Sequence, residues 1–227
     1  MSGADPTPTE GTEGHSVLEL LRVMDRLRSP GGCPWDAQQT HTSLVPYLLE
    51  EAHEAAEAIE SGDREHMIEE LGDVLLQVVF QARVGQDDPI APFDIDDVAA
   101  VLVAKLRRRH PHVFGDVKAA DAAAVATNWE RIKEQERADK EARGGAAATG
   151  PLDGIPAGMP SLLRAAKVIS RLDRVADGGR SSAVDAAVTA GGTGAELLGV
   201  IAAMVREGDD PDAALRAALR DVGNAAG

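Results

Sequence analysis

Five carboxylates recur at helical spacing in two short stretches, Glu50-Glu51-x-x-Glu54 and Glu70-x-x-Asp73. Side chains at i and i+3 share one helix face, so each pair can aim at a single object. Set on two antiparallel helices, they would gather four or five oxygens around one point. Carboxylates brought that close repel unless a cation neutralises them. The pattern therefore points to a hard divalent metal and, beside it, to phosphate chemistry. Most Glu runs are only solvated helix faces, but two features set this one apart. Basic residues at i±3 and i±4 are scarce around Glu50, Glu51 and Glu54. Asp73 also lies within the apolar run Leu71-Gly72-Asp73-Val74-Leu75-Leu76, where an unpaired charge is costly to bury.

A polyphosphate ligand needs positive charge as well. Lys105 and Arg109 stand at i and i+4 and share a face, and Lys133 on the next expected helix adds a third cation. The run from Lys105 to Arg109 suits the C-terminus of a helix equally well, through its dipole. Trp129 is either a platform for a base or ribose or a core residue, and Trp35 is read as packing. His41, His53, His66, His110 and His112 form no zinc-like group and are read as surface or capping residues. Cys33, the single cysteine, excludes an intrachain disulfide and is read as a small, buried turn residue.

These groups must be positioned by helices. The chain of 227 residues is 44% hydrophobic but only 3% aromatic, a composition that favours packed helices over sheet. Val17, Leu20, Leu21, Met24 and Leu27 recur at the helical period, with Ser16 and Glu19 placed to form a capping box. Further helices are expected over 42–61, 64–85, 95–109 and 121–143, then near 161–176, 195–206 and 211–222. Residues 1–14 read as a disordered tail, 144–160 as a linker rich in Gly, Pro and Ala, and 178–194 as loose chain. No segment alternates as a strand does. The expected fold class is all-α.

The formal net charge is −15, from 38 acidic and 23 basic residues. So negative a surface disfavours nucleic-acid polymers, though not small phosphate ligands held by a local basic patch and a metal. No signal-peptide pattern and no membrane-spanning apolar run is seen, so a cytoplasmic protein is expected. A faint internal repeat aligns Glu196-Leu197-Leu198-Gly199-Val200-Ile201 with Glu70-Leu71-Gly72-Asp73-Val74-Leu75, with Gly199 in the place of Asp73.

Six blocks in order carry a family resemblance. They are Gly32-Cys33-Pro34-Trp35-Asp36, Gln39-Thr40-His41, Tyr47 to Glu54, Glu69 to Phe80, Arg108 to Phe114, and Asn128-Trp129-Glu130. Together they resemble MazG, of the all-α NTP pyrophosphatase superfamily. The resemblance implies a four-helix bundle completed by dimerisation, as a homodimer or higher homo-oligomer. It also implies hydrolysis of NTPs or dNTPs to monophosphate and pyrophosphate with Mg²⁺, or Mn²⁺ in its place. By motif, Glu51, Glu54, Glu70 and Asp73 would be metal ligands, and Glu50 would orient water or support the metal. Lys105, Arg109, Trp129 and Lys133 would hold nucleotide. The catalytic module is expected over 15–143, and 161–227 would be a shortened second module stripped of its acidic motif.

Overall fold

A computed structural model describes residues 14–115, 121, 125, 128–129, 131–132, 135–136, 139, 150 and 152–226. Residues 1–13 of the expected tail, Lys133, and much of the helix expected over 121–143 lie outside the described residues. The described residues contain helices and no strand, as the composition implied. The chain divides into two compact units, Met1–Trp129 and Glu130–Gly227.

In the first unit, α1 (His15–Arg28) turns Leu20, Leu21 and Met24 onto a core with Leu44, Val79 and Phe80. The expected capping box at Ser16 does not form. Gly14, at φ 80°, is the N-cap two residues earlier, so Ser16 and Glu19 lie inside the helix, and Glu19 pairs instead with Arg22 at 3.0 Å. After α1 the chain doubles back tightly, the Cys33 N–H donating to the Leu27 carbonyl at 2.7 Å. A Cβ on Gly32 would lie 2.2 Å from that carbonyl oxygen. Gly32→Ala is therefore expected to remove roughly 1–3 kcal/mol from this unit, read as an earlier tryptophan-fluorescence melt.

The turn expected at 31–36 contains a short helix, α2 (Pro34–Gln38), opened by proline at its first position. Cys33 sits at its N-cap and is only partly buried. Trp35 does pack, edge-on to Tyr47 at 5.8 Å and to Phe80 at 6.4 Å. Arg28 ties these pieces together. Its side chain is 5% exposed, donates to the carbonyls of Asp36 and Gln39, and pairs with Asp87 at 2.8 Å.

The next helix, α3 (Val45–Ser61), begins later than the hydrophobic period suggested. The side chains of Thr40 and Ser43 cap each other's backbone N–H groups there and hold 40–43 in a turn. It ends at Gly62, whose φ of 74° turns the chain, and Asp63 caps α4 (Arg64–Gly85) by accepting from the N–H groups of Glu65 and His66. The pair α3–α4 is thus a helical hairpin closed by two residues. Then α5 (Ile95–Arg109) opens with a capping box between Asp94 and Asp97, and the short α6 (Pro111–Phe114) follows, with His110 at the junction.

The second unit comprises α7 (Ser161–Val175), α8 (Ser182–Thr189), α9 (Thr193–Glu207) and α10 (Pro211–Ala226). Its core joins Ile169, Val184, Ile201 and Ala202. The segment expected to be loose over 178–194 contains α8, because Val184 is buried and anchors an otherwise Ala-rich turn. Asp173, 7% exposed, accepts from the Ser181 N–H at 2.7 Å and from Arg206 Nε at 2.7 Å.

Candidate metal centre

The hairpin places Glu50, Glu51 and Glu54 on α3 and Glu70 and Asp73 on α4. Because the turn is so short, the two helices run antiparallel side by side, and the acidic faces meet. Glu51, Glu70 and Asp73 each offer a carboxylate oxygen, and these oxygens lie within 4.8 Å of one another. Oxygens bound at ~2.0–2.6 Å to one cation are at most about 4–5 Å apart, so this spacing suits a shared ion.

The surroundings favour a cation further. The Glu70 side chain is only 12% exposed, with Oε1 3.2 Å from His66 Nε2. Its Oε2 is buried with no hydrogen-bond partner. A buried polar atom left unmade costs roughly 1–3 kcal/mol and asks for an explanation. A hard cation would supply one, since all three members of the converging group offer carboxylate oxygens. Burial first, then the charges of Asp73 and Glu54 and, less, of Glu70, hold the Glu51 carboxyl above its usual range, against the hydrogen bond from Gln77. Without positive charge, ionising all of these groups together is unfavourable.

The residues singled out by spacing are not all brought together. Glu54 lies outside the group of three, although its charge acts on Glu51. Glu50 is exposed and belongs to no such group among the described residues. Lys105 stands exposed on α5. Arg109, at the end of that helix, sets its guanidinium 5.7 Å from the ring centroid of Trp129, and His110 meets the same ring edge-on at 5.9 Å. Lys133 lies outside the described residues. One face of the apolar run around Asp73 is left uncovered in this chain: Leu71 is 47% and Leu75 38% exposed, with Val78 beside them at 39%, while Leu76 packs on the core.

Two neighbours of the cluster escaped the sequence reading. Gln77 donates from Nε2 to Glu51 Oε1 at 3.5 Å, and His66 contacts Glu70. Both carried a signal. Glu70, Asp73 and Gln77 follow i, i+3, i+7, and His66 stands four residues before Glu70.

Fold and site together define an all-α protein whose α3–α4 hairpin gathers three carboxylates into a candidate cradle for a cation. Residues 39–114 match the MazG nucleotide pyrophosphohydrolase domain. A Streptomyces cacaoi protein, described as an uncharacterized 26.1 kDa protein in the blaB 3' region, is 47% identical over 90% of this chain and 78% of its own. The chain belongs to the MazG family. The nucleoside triphosphate pyrophosphohydrolase of Escherichia coli strain K12 is 45% identical over 71% of this chain and 59% of its own length. The nucleoside triphosphate pyrophosphohydrolase/pyrophosphatase MazG of Thermotoga maritima is 50% identical over 54% of this chain and 46% of its own. The chain thus spans about half the length of the relatives that carry that activity in their names.

Proposed function

We propose that this protein is a Mg²⁺-dependent nucleoside triphosphate pyrophosphohydrolase. It would convert NTPs and dNTPs to monophosphate and pyrophosphate, a reaction that keeps the nucleotide pool clean, and Mn²⁺ would substitute for Mg²⁺. The observation that carries this reading is the convergence of Glu51, Glu70 and Asp73 within 4.8 Å, on the hairpin inside the matched family domain. The names of the relatives support the nucleotide and the bond attacked.

Glu51, Glu70 and Asp73, with Glu54 beside them, would hold the metal. A bound Mg²⁺ polarises phosphoryl oxygens and acidifies a water. Glu50 would orient the attacking water toward the α–β anhydride. Lys105, Arg109 and Lys133 would offset the charge that builds on the leaving pyrophosphate, and Trp129 would stack against the nucleoside.

The catalytic module would be 15–143, and 161–227 a second module without catalysis. At Gly199, where the repeat would require an acid, a Cβ lies 3.2 Å from Val188 Cγ1, so a carboxylate there would face packed apolar carbon. The exposed Leu71, Leu75 and Val78 on α4 would be covered by a second copy of the chain, giving a homodimer or higher homo-oligomer. No helix among the described residues is long and apolar enough to cross a membrane. A cytoplasmic enzyme that does not bind nucleic-acid polymers fits this reading and its acidic charge.

Product analysis on a mixed NTP and dNTP panel with Mg²⁺ tests the reaction. Monophosphate and pyrophosphate are expected from several bases. Orthophosphate and diphosphate would mean that a different anhydride is cut, and turnover of a single base would place the chain among narrower nucleotide hydrolases.

A further inference from the structure

Gln77 stands on the same face of α4 as Asp73, one turn further on, and is 4% exposed. Its Nε2 donates to Glu51 Oε1 at 3.5 Å, while its own Oε1 is buried without a partner. A buried amide satisfied on one side only is poorer packing than a Met or Leu of similar volume, which would fill the same space with no polar atom to desolvate. Packing alone therefore does not account for the amide. What the amide adds is a neutral donor aimed at the one carboxylate of the group of three that comes from the opposite helix. Left to mutual repulsion, Glu51 would swing away from Glu70 and Asp73 toward solvent. Neighbours that orient metal ligands commonly tune metal affinity in this way.

We infer that Gln77 is a positioning residue: its amide N–H holds Glu51 toward Glu70 and Asp73 and so sets the affinity of the cradle for a divalent cation. The inference rests on the metal-dependent reading above. It concerns binding before any chemistry, and so has a readout apart from turnover.

The test is titration of the full-length protein with Mn²⁺, following free Mn²⁺ by electron paramagnetic resonance, in the native chain and in Gln77→Met. The variant is expected to bind Mn²⁺ about 10–100-fold more weakly, with helical circular dichroism and metal-free melting temperature unchanged or higher. Its turnover should recover at saturating Mn²⁺, so that the defect lies in the metal dependence and not in KM for nucleotide. A residue that merely fills space would move neither the metal affinity nor the metal dependence. Gln77→Leu repeats the measurement with a different shape. Mn²⁺ affinity undiminished in a folded variant overturns the inference alone. Absence of Mn²⁺ binding by the native chain overturns both it and the functional reading. Failure of both variants to fold also overturns it, because Gln77 would then act first as a packing residue.

Discussion

Glu70→Gln is expected to lower nucleotide turnover by about a thousandfold or more, since a metal ligand supplies several kcal/mol of charge stabilisation and each tenfold is about 1.4 kcal/mol. Glu70 is chosen because it is the member of the group with a buried oxygen and no partner for it. The substitution keeps the volume and an oxygen for the contact with His66, and removes the charge and one of the two acceptor oxygens. Circular dichroism should therefore be unchanged while Mg²⁺-dependent pyrophosphate release disappears. Glu54→Ala, at the neighbouring carboxylate, is expected to lose orders of magnitude as well with the helices intact. Near-normal turnover in a folded Glu70→Gln protein would show that the cluster is not where the reaction occurs.

The second large effect falls in the other unit and concerns stability. Asp173→Ala removes an ion pair with Arg206 and the acceptor for the buried Ser181 N–H. The Arg206 side chain is 21% exposed, so the loss is that of charge-assisted hydrogen bonds and an orphaned buried N–H, roughly 1–3 kcal/mol, and not that of a fully buried pair. Asp185 still pairs with Arg206 at 3.1 Å, which places the expectation near the lower end of that range. Hydrogen bonding from Arg206, opposed by burial and aided by the Ser181 N–H, holds the Asp173 carboxyl below its ordinary value. A depressed carboxyl contributes stability that is complete above its unfolded pKa of about 3.9 and is lost as pH falls through the lower folded value. The native second unit should thus weaken below about pH 4, and Asp173→Ala should flatten that dependence. Circular dichroism melts at pH 3 and pH 7 test both statements. Trp35, packed against Tyr47 and Phe80, lets fluorescence follow the first unit separately. Equal losses for native and variant protein on acidification would exclude Asp173 as the group responsible.

Much of this was legible in the residues. The helices over Arg64–Gly85 and Ile95–Arg109 have the ends that their spacing, turn glycines and acidic first residues imply. Carboxylates three apart on two helices joined by Gly62-Asp63 face one another, and Glu51, Glu70 and Asp73 of the five come together. What sequence spacing could not give was rotamer and partner. It treated Glu54 as equivalent to Glu51, yet only one of the two reaches the group of three. It missed Gln77, because an uncharged amide in an apolar helix gives no electrostatic signal. Ser16 misled because a cap is chosen by backbone conformation as well as side chain, and Gly14 offered a left-handed residue two positions earlier. The Val184 helix was hidden by alanines and glycines, whose small surfaces leave little periodicity to read.

The shortness of the hairpin bears on when the site comes into being. Glu51 and Gln77 are 26 residues apart, with two helices and a two-residue turn between them. Closing so short a segment loses little chain entropy, and contacts so local form early in folding. The charge repulsion of the cradle is then met by the nascent hairpin, ahead of the finished fold. Stabilisation acting on structure already present in the folding transition state speeds folding and leaves unfolding nearly unchanged. A divalent cation would on that account be a folding accelerant for this chain, and a cell depleted of it would slow the chain's maturation as well as its turnover.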